Sequence, residues 1–410
     1  MILFGGVLPV TGVTFLMFSL LAILAVGYLL GRISIKGISL GSAGVFLVAL
    51  LYGCLFYGDL EAQLPEYTTN ALKIVENVGL ILFVTSVGFI AGPKFFSNMK
   101  KNFKSYVLLG LVIILSGALV AIGCTYIGSL TGEADMEKLS AIMAGLFAGA
   151  LTSTPAFSAA KASVATEELE QLVSVGYGIA YIFGVIGVVL FVQLIPKLLK
   201  VDMDKERQSL VAAEAATSTK KDSGKLIELD DYGIAPFAIA AVIGVLIGMI
   251  KIPLSGDGLN GTTFSLTTTG GCLLAALVFG HFGKAGKINI MPSVTTLKVF
   301  RELGLVLFLA GAGVSGGARF VQEFKVDYFV YGAIMTIMPM IIGFLFAKYV
   351  LKLNVLNNLG SLTGGMTSTP ALGTLINVAK TEDVAAAYAA TYPIALVAVV
   401  FASQFIIILF

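Results

Sequence analysis

The sequence predicts an all-α polytopic membrane protein made of two inverted structural repeats, each with five spanning helices and one re-entrant T-S-T-P hairpin. Three observations carry this: apolar composition along nearly the whole chain, a T-S-T-P motif that occurs twice in similar surroundings, and basic loop residues whose sidedness reverses between the halves. Of 410 residues, 57% are hydrophobic and 12% charged, with a mean hydropathy of +0.96. Soluble globular chains carry roughly a quarter charged residues, so this composition belongs in a bilayer. The 26 basic and 24 acidic residues leave a net charge of +2, too weak a field to hold nucleic acid. Cys54, Cys124 and Cys272 lie apart in apolar stretches and read as small core residues. The one histidine, His281, has no Cys or carboxylate at ligand spacing, which leaves no metal set.

A helix crossing roughly 30 Å of hydrocarbon needs about 20 apolar residues. Runs of that kind occupy 14–31, 39–58, 73–92, 105–129, 172–195, 232–250, 263–281, 297–316, 327–350 and 386–409. Met1 to Val13 lacks Lys and Arg, so the first run is expected to persist as a helix rather than be cleaved as a signal peptide. Two more apolar stretches, 139–165 and 359–379, are broken by Thr152 to Pro155 and by Thr367 to Pro370. Between Pro196 and Asp231 the chain turns to Lys, Asp, Glu, Ser, Thr and Ala without apolar periodicity, the signature of a flexible linker. The expected organisation is a first membrane repeat over 1–196, a cytoplasmic linker over 197–231 and a second, inverted repeat over 232–410.

The duplication is visible residue by residue. With Lys73 set on Lys298, Gly79, Phe83, Gly88, Gly92 and Phe95 meet Gly304, Phe308, Gly313, Gly317 and Phe320 without a gap. Further on, T-S-T-P-A at Thr152 meets T-S-T-P-A at Thr367, and Tyr177 with Tyr181 meets Tyr388 with Tyr392. Short loops rich in Lys and Arg stay cytoplasmic. Arg32, Lys36, Lys94, Lys100, Lys101 and Lys104 mark that side in the first half, and Asp59, Glu61, Glu66, Glu133, Asp135 and Glu137 mark the other. In the second half His281, Lys284 and Lys287 stand where the Asp59 loop stood, and Lys348 with Lys352 where Glu133 to Glu137 stood. Inversion demands an odd number of crossings per half, so the broken segment is read as re-entrant. Both termini then lie outside and the linker inside, the plan of inverted-repeat secondary transporters.

Non-helical backbone at membrane depth is tolerated only where it lines a cavity or is buried in protein. In each motif a Ser or Thr can cap a new helix and the Pro fits its first turn, where its missing N–H does no harm. The freed amides and the positive end of each helix dipole then suit an anion. The hydroxyls of Thr152, Ser153, Thr154, Thr367, Ser368 and Thr369, beside Pro155 and Pro370, add donors for a carboxylate. Ser158, beyond the first tip, is expected to turn into its helix. Tyr177, Tyr181, Tyr388 and Tyr392 serve either packing or cavity lining. Glu76, Arg301 and Glu302 lie at the mouths of spans, Arg301 as an interfacial anchor first and a substrate counter-ion second. The G-x-x-x-G pairs at Gly88, Gly145, Gly313 and Gly360 read as close helix packing.

G-L-x-L-F followed by G-x-x-x-G, at Gly79 to Phe83 with Gly88 and Gly92 and at Gly304 to Phe308 with Gly313 and Gly317, together with T-x-T-P-A at Thr152 and Thr367, resembles the aspartate:alanine exchanger family of bacterial secondary carriers. The resemblance covers nearly the whole membrane portion. It implies an elevator-type carrier of the inner membrane, dimeric, exchanging small anionic or zwitterionic carboxylate-bearing metabolites such as amino acids or dicarboxylates. The linker is far too short for the paired soluble domains such carriers usually hold there. A sodium-coupled carboxylate symporter, with bound sodium on carbonyls and hydroxyls, is the alternative carrier; a channel or membrane sensor is the alternative of another class. No acid is read deep in a span, since Asp59, Asp135 and Asp257 fall in loops, which argues against proton coupling. No nucleophile, base and orienter triplet suggests an enzyme.

Overall fold

The computed structural model describes residues 2–3, 8–9, 11–35, 38–39, 41–65, 67–101, 103–130, 135–203, 205–207, 226–253, 263–381 and 384–410. Lys36, Glu66, Glu133, Asp257 and residues 204 and 208–225 of the connection lie outside them. The helices are α1 (Gly12–Arg32), α2 (Ala43–Gln63), α3 (Thr68–Lys101), α4 (Leu108–Leu130), α5 (Met136–Ala150), α6 (Thr154–Ser163) and α7 (Glu167–Leu198) in the first half. In the second half they are α8 (Ile234–Gly248), α9 (Thr267–Phe282), α10 (Val294–Glu323), α11 (Val326–Leu345), α12 (Val355–Gly365), α13 (Thr369–Ala379) and α14 (Val384–Leu409). Among the described residues seven helices are long and apolar enough to cross a bilayer. The other three expected spans form α8, α9 and α10. Large apolar side chains stand exposed along α1, α4 and α8, Leu21, Leu29, Leu115, Leu119, Val242 and Leu246 among them, as a lipid-facing surface requires. The chain is a multi-pass membrane protein.

Helix starts follow local chemistry. Asp135 accepts the Lys138 amide ahead of α5, Thr166 that of Leu169 ahead of α7, and Asn354 that of Asn357 ahead of α12. Glu167, Glu168 and Glu170 in the first turn of α7 face the positive end of its dipole. Helix α7 passes through Pro196 to Leu198, and residues 226–231 are ordered: the Ile227 amide donates to Lys287 and its carbonyl accepts from Asn289. Asp230 accepts from the amides of Tyr232, Ile234 and Ala235 at the start of α8, and the Ala235 and Ile234 N–H groups hold its carboxyl below the usual range. Asp59, read as a loop residue, lies in the last turns of α2.

The helices pack as two groups. One contains α1, α2, α3, α8, α9 and α10; the other contains α4 to α7 and α11 to α14. The first group is organised on the antiparallel crossing of α3 and α10, where Gly79 and Gly304 meet. A Cβ on Gly79 would lie 2.5 Å from the Phe308 nitrogen and 2.7 Å from the Gly304 oxygen; one on Gly304 would lie 2.5 Å from the Phe83 nitrogen and 2.6 Å from the Gly79 oxygen. The contact is reciprocal, and only a missing side chain on each helix permits it. Gly88 and Gly92 of α3 press on α9, as Gly313 and Gly317 of α10 press on α2. Gly145 and Gly149 of α5 press on α7, as Gly360 and Gly364 of α12 press on α14. The expected packing role of the G-x-x-x-G pairs is therefore what the structure has. Gly304→Ala is expected to lower stability by about 1–2 kcal/mol, since overpacking a close backbone contact costs that much. Thermal unfolding of purified protein checks it; an unchanged midpoint would mean that the crossing tolerates a methyl group.

Candidate functional site

The two motifs break their helices in the same way. At the end of α5, the Thr152 amide donates to Gly149 at 2.9 Å and the Ser153 amide to Ala148 at 2.9 Å. At the end of α12, the Thr367 amide donates to Gly364 at 3.1 Å and the Ser368 amide to Thr363 at 3.0 Å. This pair of bonds is the Schellman cap, which needs a left-handed residue, usually glycine. Here that residue is threonine, with φ of 54° at Thr152 and 51° at Thr367. A β-branched residue is strained there, and a cross-connection holds both. Thr152 Oγ1 donates to the Met366 carbonyl at 3.1 Å, and Thr367 Oγ1 donates to the Leu151 carbonyl at 2.8 Å. The two breaks thus lie against each other. Ser153 then caps α6, accepting from the Ala156 amide at 3.3 Å, with Pro155 in the first turn.

A cavity of about 620 Å³ opens beside this junction. Thr152, Ser153, Thr154, Pro155 and Thr367 form its polar wall, and Tyr181, Tyr388 and Tyr392 line it from α7 and α14. Phe83 and Val87 of α3 and Leu305 of α10 supply apolar surface. Arg301 and Glu302 stand at its rim with Gly41 and Ser42 of the loop after α1, and Glu302 accepts from Tyr28 at 3.0 Å. Arg301, expected first as an interfacial anchor and second as a counter-ion, is exposed and also lines the cavity. Among the described residues it makes no ion pair.

Other expected residues fall elsewhere. Tyr177 is fully buried and away from the cavity wall. It stacks on Phe157 at 4.1 Å, meets Phe46 edge-on at 5.1 Å, and only its hydroxyl, 3.5 Å from Thr154 Oγ1, approaches the tip. Ser368 is also fully buried off the wall, and its Oγ has no partner among the described residues. Thr369 and Pro370 open α13, but their side chains are outside the described residues. Ser158 does not turn into its helix; its Oγ lies 2.6 Å from Thr269 Oγ1 on α9.

Glu76, expected at the mouth of a span, is a buried acid. That residue is 8% exposed, and Lys161 of α6, 5% exposed, reaches it with contacts of 2.6 and 2.8 Å to its two carboxylate oxygens. Glu76 is only two turns into α3, which placed it at a mouth on sequence grounds, but α6 and α10 cover that turn. Lys161 escaped the sequence reading altogether. The available signal was a lone cation in the apolar run A-F-S-A-A-K-A, where Ile376 stands at the same distance from the other T-S-T-P motif.

A sequence model described as a predicted permease membrane region, Asp-Al_Ex, matches residues 19–197 and 236–408. The chain belongs to the aspartate:alanine exchanger family. An uncharacterised transporter of Bacteroides thetaiotaomicron is 30% identical over 93% of this chain and 96% of its own length. A second, of Desulfotalea psychrophila, is 24% identical over 95% and 96%. A putative transport protein of Yersinia enterocolitica is 25% identical over 96% and 98%. The first alignment runs over 536 positions against 410 residues here, so that relative carries additional segments. With exchanger family membership and transporter relatives, the chain is a membrane transporter.

Proposed function

We propose that this exchanger family member is a secondary carrier that exchanges small carboxylate-bearing metabolites, amino acids or dicarboxylates, across the bacterial cytoplasmic membrane. One observation carries the reading: a single cavity in which the helix breaks at Thr152 and Thr367 meet Arg301. The α6 N-terminus supplies free amides and a positive dipole end, Thr154 a hydroxyl, and Arg301 a guanidinium that matches a carboxylate in two parallel hydrogen bonds. Tyr181, Tyr388 and Tyr392 give the rest of a small organic molecule an aromatic wall. The name of the family points to aspartate and alanine, both of which carry a carboxylate.

Alternating access through inverted repeats is supported by the reciprocal Gly79 and Gly304 contact, by the matched breaks, and by one family description covering both halves. In this reading the paired helices α5 with α6 and α12 with α13 are re-entrant hairpins entering from opposite faces, both termini are outside, and the group holding them moves as an elevator against the other. Thermal shift of the purified protein with L-aspartate, L-alanine and succinate, with and without sodium, tests the reading. Stabilisation by carboxylates but not by their uncharged amides is expected; no shift with any carboxylate overturns it. A sodium requirement would favour symport over exchange. Thr154→Val removes one hydroxyl at constant shape and is expected to weaken the stabilising ligand about tenfold, as a hydrogen bond to a charged group is worth about 1.5 kcal/mol. Ligand titration of the melting temperature reads this, and unaltered affinity would remove the tip hydroxyl from the site.

A further inference from the structure

At the end of the molecule where α3 and α7 begin and α10 finishes, polar contacts run across the seam between the two helix groups. Thr69 donates to Glu167 at 2.9 Å, Lys73 to Glu170 at 3.2 Å, and Arg319 to Glu168 and Gln171 at 2.9 Å each. A second cavity, of about 560 Å³, sits among these groups, lined by Tyr57, Glu61, Thr69, Glu167 and Arg319. The innermost rung is the Glu76–Lys161 pair, which joins α3 of one group to α6 of the other. On α3, Glu76 lies seven residues from Thr69 on the second cavity and seven from Phe83 on the first, about 10 Å each way at a helical rise of about 1.5 Å per residue. On α6, Lys161 is likewise seven residues from Thr154 at the tip. Along α3 the pair therefore lies between the two cavities.

We propose that the Glu76–Lys161 ion pair is the gate that shuts the transport cavity at this end, and that its charges are what allow the closed contact to reopen to water. The inference rests on the carrier reading. The register of the two halves supports it. Setting Lys73 on Lys298 puts Glu76 on Arg301, and setting Thr152 on Thr367 puts Lys161 on Ile376. At the other end, where the cavity reaches its rim, the matching positions hold one charge and one apolar residue and form no pair. One end holds opposite charges in contact, and the other presents a single exposed cation.

The physical argument is one of asymmetry on opening. Two charges held together away from water lose a strong attraction when parted, yet each regains hydration if water follows from the second cavity. Two apolar side chains packed in the same place would keep their contact and gain nothing from water, so the end would stay shut. Removing only one charge does the reverse, because the remaining ion is stable only in the hydrated, open arrangement.

The test uses the full chain with Cys54, Cys124 and Cys272 replaced, in sealed vesicles of each orientation, with a membrane-impermeant maleimide as probe. Ser158→Cys, between tip and gate, reports opening at the face where α7 begins; Ala389→Cys, on the cavity wall, reports the other face. Glu76→Gln is expected to speed labelling of the Ser158 reporter from the α7-start face about tenfold or more, and Glu76→Leu with Lys161→Met to slow it by a similar factor. Equal rates in wild type and the double variant show a merely structural pair and overturn the proposal. If Glu76→Gln does not fold, the double variant, which leaves no buried charge, decides alone. Labelling of the Ala389 reporter from the opposite face in wild type checks the carrier reading separately, and its absence counts against the open cavity rather than against the gate.

Discussion

Arg301→Met is expected to weaken carboxylate binding by about 2–3 kcal/mol, roughly 30- to 150-fold, while leaving the folded protein intact. The size follows from the surroundings. Arg301 lines the cavity with Tyr392, makes no ion pair among the described residues, and is the one Lys or Arg among the described lining residues. A charge-assisted pair of hydrogen bonds to a carboxylate lies at the strong end of the hydrogen-bond range. Arg301→Lys keeps the charge but loses the planar fork, so an intermediate loss is expected. Affinity from ligand-dependent melting, with counterflow of the same carboxylate in proteoliposomes, measures both variants. If Arg301→Met binds and exchanges as wild type does, Arg301 is an interfacial anchor and the tips hold the anion unaided.

Glu76→Leu alone is expected to destabilise the protein by about 3–5 kcal/mol, because it leaves the Lys161 ammonium buried without a counter-charge. Its nearest remaining favourable contact is the face of Phe157, 5.9 Å from ring centre to Nζ, which is worth only about 1–2 kcal/mol when desolvated. Adding Lys161→Met removes the orphaned charge and is expected to restore most of the loss, since an apolar pair of similar volume replaces a buried ion pair at little or no cost. The midpoint of thermal unfolding for the two single variants and the double variant reads this as a coupling energy. Additive effects of the two changes would show that the charges do not depend on each other. Stability and gating separate here: the double variant should be stable and yet slow to open.

Much of the organisation follows from local pattern. Each apolar run long enough to span forms a helix, because in hydrocarbon the backbone has to satisfy its own hydrogen bonds and the helix does so within one segment. The breaks at Thr152 and Thr367 were legible for the same reason. Proline fits the first turn of a new helix in both motifs, although the side chain of Ser153 caps its helix and that of Ser368 does not. What the motif did not disclose is how the strained threonines are held. That depends on carbonyls of Met366 and Leu151, more than 200 residues away in the chain.

The site divides along the same line. Tyr177 and Tyr181 share one helix face and are indistinguishable by spacing, yet Phe46 and Phe157 cover the first and leave the second on the cavity. Glu76 and Arg301 occupy matching places near the starts of their spans, and their charges alone suggest two water-exposed ends. Packing of α6 over α3 buries Glu76 against Lys161, whereas the gap between α10 and α14 leaves Arg301 facing a cavity. Periodicity and helix breaks are properties of neighbouring residues, so composition and order suffice to read them. Burial, and with it the difference between a paired charge and one facing a cavity, is set by which distant helix lies on top, and only the assembled bundle decides that.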